Sequence, residues 1–130
     1  MRYLLLIYTP ESMEAVPDEV TNEVSAAYGE FTADIRARGI FQAGEALEPT
    51  STATTVQVRD GRTITTDGPF AETKEALGGF YMIDVKDLDE AIELAARIPG
   101  AQHGSIEVRP IMELPADYAA ASGRAVGASG

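Results

Sequence analysis

Apolar residues fall along this chain in two kinds of pattern. Tyr3-Leu4-Leu5-Leu6-Ile7-Tyr8 and Gly79-Phe80-Tyr81-Met82-Ile83-Asp84-Val85 are nearly continuous apolar runs. Runs of that length read as central strands that need cover on both faces. Between them, Val20, Val24, Ala27, Tyr28, Phe31 and Ile35 recur at three- and four-residue spacing, which predicts a helix over 17–38. Pro17, Asp18 and Glu19 suit its start, Arg36 and Arg38 suit its C-terminal dipole, and Gly39 ends it. Ile40 to Leu47 is the next strand, with Gly44 marking a bulge or a close backbone approach. Thr54 to Arg59 alternates as a half-buried strand does, Asp60-Gly61 is a hairpin turn, and Arg62 to Thr66 returns.

The second half repeats the plan. Asp87-Leu88-Asp89-Glu90 is an acidic capping box, and Leu88, Ala91, Ile92, Ala95 and Ile98 form the expected buried stripe of a second helix. Pro99-Gly100 stops it, and Ser105 to Ile111 is the last strand, with Pro110 near its end. The expected fold is α+β, a ferredoxin-like βαββαβ unit with an added β-hairpin. Two helices cover one face of its sheet and nothing in the chain is left to cover the other. A homodimer packed sheet to sheet is therefore expected. The domain is placed at 1–114. The stretch 115–130 is mostly Ala, Gly and Ser and is expected to be a flexible tail, because it lacks large apolar residues to offset ordering entropy.

Composition narrows the chemistry. The net charge is −11 and the ten Lys and Arg are scattered, so phosphate backbones are disfavoured partners and no direct nucleic-acid binding is expected. No apolar run is long enough for a membrane span and the first residues do not resemble a signal peptide, so a cytoplasmic location is expected. There are no cysteines and one histidine, which leaves no thiolate nucleophile and no usual zinc framework. Neither a metal nor a cofactor is expected.

Thr66-Asp67-Gly68-Pro69-Phe70-Ala71-Glu72-Thr73-Lys74-Glu75 is the densest stretch in both conformational constraint and chemistry. Gly68 takes positive φ cheaply and Pro69 fixes its own. A stiff turn of this kind would hold Asp67 as a fixed carboxylate and Phe70 as an apolar wall. Tyr8, Tyr81 and Phe70 would line a small pocket, with Glu45, Asp67, Lys74 and Arg109 as polar groups around Gly68 and Pro69. Asp67 is the candidate catalytic base or orienter. His103, in Gly100-Ala101-Gln102-His103-Gly104, is the other candidate. Each has a plain structural alternative: Asp67 closes its own turn, Phe70 and Tyr81 fill the core, and His103 is an exposed loop residue.

The block Asp67-Gly68-Pro69-Phe70-Ala71-Glu72-Thr73-Lys74-Glu75, with Gly78-Gly79-Phe80 behind it, resembles the signature of the DGPF branch of the YCII-related family. The opening Met1 to Tyr8 and the closing Ile106-Glu107-Val108-Arg109-Pro110 are similar to that family's ends, so the resemblance spans residues 1–114. It implies a ferredoxin-like dimeric α/β barrel and a bacterial origin. Some relatives are associated with sigma factors of the extracytoplasmic-function type. A few YCII-related relatives act on small aromatic compounds, with a His-Asp pair proposed as their active site. His103 does not fall at the position of that His, so the dyad does not carry over.

Two functional readings follow. One is a domain that binds a small aromatic or acidic molecule between the sheet and the DGPF loop, with cofactor-free acid-base chemistry on it. The other is a non-catalytic regulatory protein that docks on an extracytoplasmic-function sigma factor.

Overall fold

The computed structural model describes residues 1–13, 18–70 and 74–117. Its elements run β1 (Arg2–Pro10), α1 (Asp18–Ala37), β2 (Phe41–Ala46), β3 (Thr54–Arg59), β4 (Arg62–Asp67), β5 (Glu75–Asp84), α2 (Leu88–Arg97) and β6 (Ser105–Pro110), with short 3₁₀ turns between some of them. One four-stranded sheet has the order β2-β5-β1-β6, antiparallel throughout, and β3-β4 form a separate hairpin. With the hairpin set aside, this is the split βαββαβ order expected of a ferredoxin-like unit. The expected tail falls almost wholly on residues 118–130, outside the described residues.

Alternation along β1 sorts the sheet into two faces. Tyr3, Leu5 and Ile7 are buried against the helices together with Tyr81 and Ile83 of β5. Phe31 and Ile35 of α1, and Ala91, Leu94, Ala95 and Ile98 near α2, complete that core. The opposite face carries Leu4 and Leu6 paired with Met82 and Phe80, and all four are half-buried. Arg109 and Glu107 flank them on β6. Among the described residues no second layer covers this face.

The termini of the helices follow from local chemistry. Asp87 caps α2 by accepting from the Glu90 N–H at 2.9 Å. The Glu90 carboxylate accepts from Lys86 N–H at 3.0 Å, one residue before the position an ideal capping box uses. At the end of α1, Gly39 takes φ +71, and Ile40 N–H returns to Ile35 O at 2.9 Å. That turn starts β2 directly under the last turn of α1.

Two expectations are corrected. Leu88 and Ile92 are about half exposed, because α2 buries the face of Ala91, Leu94, Ala95 and Ile98 instead. Ile92 lies about 100° around the helix from Ala91, off that face. In the hairpin, Val56 and Val58 alternate as a strand should, yet they are 59% and 61% exposed. β3 and β4 pair with each other and join neither edge of the main sheet, so among the described residues nothing covers their apolar side.

Among the described residues, no helix is long and apolar enough to cross a membrane, and no group of three or more metal-ligating side chains forms.

Candidate functional site

A groove of about 540 Å³ opens between α1 and the β2–β5 side of the sheet. Its volume lies within the range of small-molecule sites. It arises from a mismatch in side-chain size. At the C-terminal half of α1, Phe31 and Ile35 pack down on Tyr81 and Ile83. At the N-terminal half, α1 presents Val24, Ser25 and Tyr28, and the strands opposite offer Gly44, Ala46, Gly78 and Gly79. Val24, Ala27 and Tyr28, expected to be buried, are only half-buried. The helix therefore forms one wall of the groove there.

Two of those glycines are demanded by close contacts. A Cβ on Gly79 would lie 2.7 Å from the Glu45 carbonyl oxygen. One on Gly44 would lie 2.9 Å from Cδ1 of Tyr81 and 3.2 Å from Cε2 of Phe41. Gly44 thus lets the Tyr81 ring lie flat beside β2. That ring stands edge-on to Phe31, with centroids 5.2 Å apart, and to Phe41 at 6.3 Å. Its hydroxyl reaches the Thr32 Oγ1 at 2.7 Å.

The hydroxyls of Thr9, Ser25, Tyr28, Thr32 and Tyr81 and one guanidinium, that of Arg36, give the groove its polarity. Tyr28 Oη accepts from the Gly100 N–H at 3.1 Å. Burial pushes the Tyr28 phenol above its usual value, against the opposing effect of that N–H and with a smaller contribution from Tyr81. It is a neutral donor at physiological pH. Arg36 lies over the Phe41 ring, 4.1 Å from the centroid. Glu45, on β2, lines the groove by its backbone; it pairs with Phe80, so its carboxylate stands on the sheet face away from the helices.

The residues singled out in the sequence are divided among several places. Glu45 and Tyr81 line the groove. Asp67, Gly68, Pro69 and Phe70 lie at the root of the hairpin and are not among its lining residues. Asp67 pairs with Thr54 and its side chain is exposed; Phe70 is 79% exposed rather than a core plug. Gly68 has φ +100. Two bonds to the β3 side hold the turn: Gly68 N–H to Ala53 O at 2.7 Å, and the Thr55 hydroxyl to Gly68 O at 2.8 Å. Lys74 is exposed, and its carbonyl accepts from Glu11 N–H at 2.9 Å.

Tyr8 and Arg109 lie on the sheet face away from the helices. Arg109 Nε donates to Glu107 Oε2 at 2.9 Å. His103 is exposed in the turn before β6, and among the described residues no side chain hydrogen-bonds its ring. Tyr28, Thr32, Arg36 and Phe41 were not singled out. Tyr28, Thr32 and Arg36 follow at four-residue spacing in the sequence, but Tyr28 reads there as core stripe and Arg36 as a dipole partner.

The sequence model of the family described as YCII-related domain matches residues 1–115. An uncharacterised protein of Rhizobium meliloti is 38% identical over 118 residues, covering 85% of this chain and 92% of that protein. The chain belongs to the YCII-related domain family.

Proposed function

From that membership and the groove together, we propose that this chain, as a protein of the DGPF branch, is a small-molecule-binding domain. Its ligand is a small, flat, largely apolar molecule held between α1 and the small residues of β2 and β5. The single observation that carries this reading is the open groove of about 540 Å³, walled by Phe41, Tyr81 and Val24 and supplied with a few convergent polar groups. Cofactor-free acid-base chemistry on such a ligand is the catalytic form of the proposal; Asp67 is its base only if the ligand sits at the hairpin root, since it is not among the groove's lining residues. The assembly is a homodimer through the uncovered sheet face, closing the dimeric α/β barrel, in the cytoplasm.

A thermal-shift screen of small aromatic and carboxylic acids tests this, run on wild type beside Ser25→Trp and Asp67→Asn. Ser25 is exposed on the groove wall, so an indole there fills the groove without disturbing the core. Compounds are expected to raise the melting temperature of wild type and of Asp67→Asn, but not of Ser25→Trp. Loss of the shift in Asp67→Asn alone would move the site to the DGPF turn. A flat screen would favour the second reading. In that reading the −11 charge receives a basic segment of a sigma factor, and a complex formed at low salt dissolves at high salt.

A further inference from the structure

Tyr28, Thr32 and Arg36 follow one another at four-residue spacing along α1, and all three line the groove. Residues so spaced share a helix face, each about 6 Å of axial rise from the next. The groove therefore has a polar row along one wall and an almost featureless floor of Gly44, Gly78 and Gly79 opposite.

The hydrogen count of that row is unbalanced. Thr32 and Tyr81 share one hydrogen bond of 2.7 Å, which uses one of their two O–H hydrogens. The other has no acceptor among the described residues. Tyr28 Oη accepts from Gly100 N–H, so its own hydrogen is likewise without an acceptor there. The two spare donors lie one helical turn apart, in a half-buried apolar setting where an unmet donor is unfavourable.

At the far end of the row, the Arg36 guanidinium stacks on Phe41 at 4.1 Å. Stacking occupies the face of the guanidinium and leaves its N–H edge free to fork onto a carboxylate. Among the described residues Arg36 forms no ion pair. Glu45 meets the groove by its backbone, because it pairs with Phe80 and its side chain shares the sheet face away from the helices. Arg36 is thus the charged side chain of the row, and the rest of the row offers only hydroxyls.

We infer that this row reads a planar monocarboxylate bearing a second oxygen function about one helical turn away, its carboxylate on Arg36 and its second oxygen on the hydroxyls of Tyr28, Thr32 and Tyr81. This rests on the groove being the ligand site, and it names the class of ligand the groove selects. A ring lies flat over the glycine floor. A second carboxylate in place of that oxygen function is rejected because the row meets it with hydroxyls in an apolar setting and no second cation.

The test is calorimetric titration of the full chain with 4-hydroxybenzoate, benzoate, phenol and terephthalate at neutral pH. The row predicts that 4-hydroxybenzoate binds tightest and terephthalate weakest of the three acids. Arg36→Gln weakens both benzoate and 4-hydroxybenzoate roughly tenfold and leaves phenol unchanged, as loss of one charged hydrogen-bonding partner implies. Tyr81→Phe weakens 4-hydroxybenzoate several-fold and leaves benzoate unchanged. Circular dichroism of both variants confirms folding, and Arg36→Lys is expected to restore only part of the affinity because an ammonium cannot fork.

Phenol binding as tightly as 4-hydroxybenzoate, or Arg36→Gln binding the acids as wild type does, would overturn the row. The groove reading would survive if Ser25→Trp still abolished binding. No binding of any probe to wild type at millimolar concentration would overturn both.

Discussion

At the scale of single residues, three glycines do more to shape this molecule than its charged side chains. Gly44 and Gly79 admit close approach in the β2–β5 ladder. Gly104 is tighter: a Cβ there would lie 2.0 Å from the Tyr8 carbonyl oxygen and 2.9 Å from the Thr9 Cα. Both neighbours are backbone of β1, so no flexible side chain can give way. Gly104→Ala is expected to cost about 3 kcal/mol, the upper end of overpacking, measured as a lowered urea midpoint with unchanged slope. A midpoint within error of wild type would mean that β1 yields there, against the packing described. The Gly104 position shows what the sequence conveys and what it withholds. Its place beside His103 was plain, and it drew attention to the imidazole. The requirement is on the glycine, because only the fold brings β1 against that turn.

At the scale of elements, the two helices are tied to each other as well as to the sheet. Asp34 of α1 accepts from Arg97 of α2 at 2.9 Å and from Arg38 at 3.4 Å. The Arg97 hydrogen bond above all holds the Asp34 carboxyl below its ordinary value; desolvation opposes it, and the Arg38 hydrogen bond and the charges of both arginines add to the lowering. A carboxylate with a depressed folded-state pKa contributes stability above its unfolded value, and that contribution is lost as pH falls through the folded one. Wild type is therefore expected to be more stable than Asp34→Asn at neutral pH. The difference should shrink once pH drops below 3.8, the usual aspartate value, and should be smaller in high salt because the groups are exposed. Paired chemical melts across pH check this, and a gap that persists in acid would assign the effect to something other than ionisation.

Element placement is also where sequence reading succeeded most. Both helices, the hairpin with Asp60 and Gly61 at φ +52 and +74, and all four sheet strands lie where periodicity and turn chemistry put them. The groove was not legible, because it is made by absence. Small residues on β2 and β5 meet the half of α1 that carries Val24 and Tyr28, and no pattern in one segment records what its neighbour fails to supply. The polar row on α1 was hidden for a related reason. Tyr28 and Thr32 fit an amphipathic helix equally well whether the surface opposite is filled or empty.

At the scale of the whole molecule, the helix-covered face of the sheet holds the core and the groove, while the other face holds Leu4, Leu6, Phe80 and Met82, all half-buried. An apolar centre rimmed by Arg109 and Glu107 has the anatomy of an association surface rather than of a solvated sheet face. The exposed Val56 and Val58 of the hairpin add a second uncovered apolar strip beyond the sheet. If copies associate through the sheet, a charge at the centre of that face must oppose its own symmetry mate across a twofold axis. Leu6→Arg does this without entering the helix-side core. Sedimentation at micromolar concentration is expected to give a dimer for wild type and a monomer for Leu6→Arg, with helical circular dichroism retained in both. Val58→Thr, tested beside it, separates the two apolar strips. A dimer unchanged by Val58→Thr and dissociated by Leu6→Arg places the contact on the sheet. The reverse result places it on the hairpin arm, and a wild-type monomer removes the sheet-to-sheet assembly altogether.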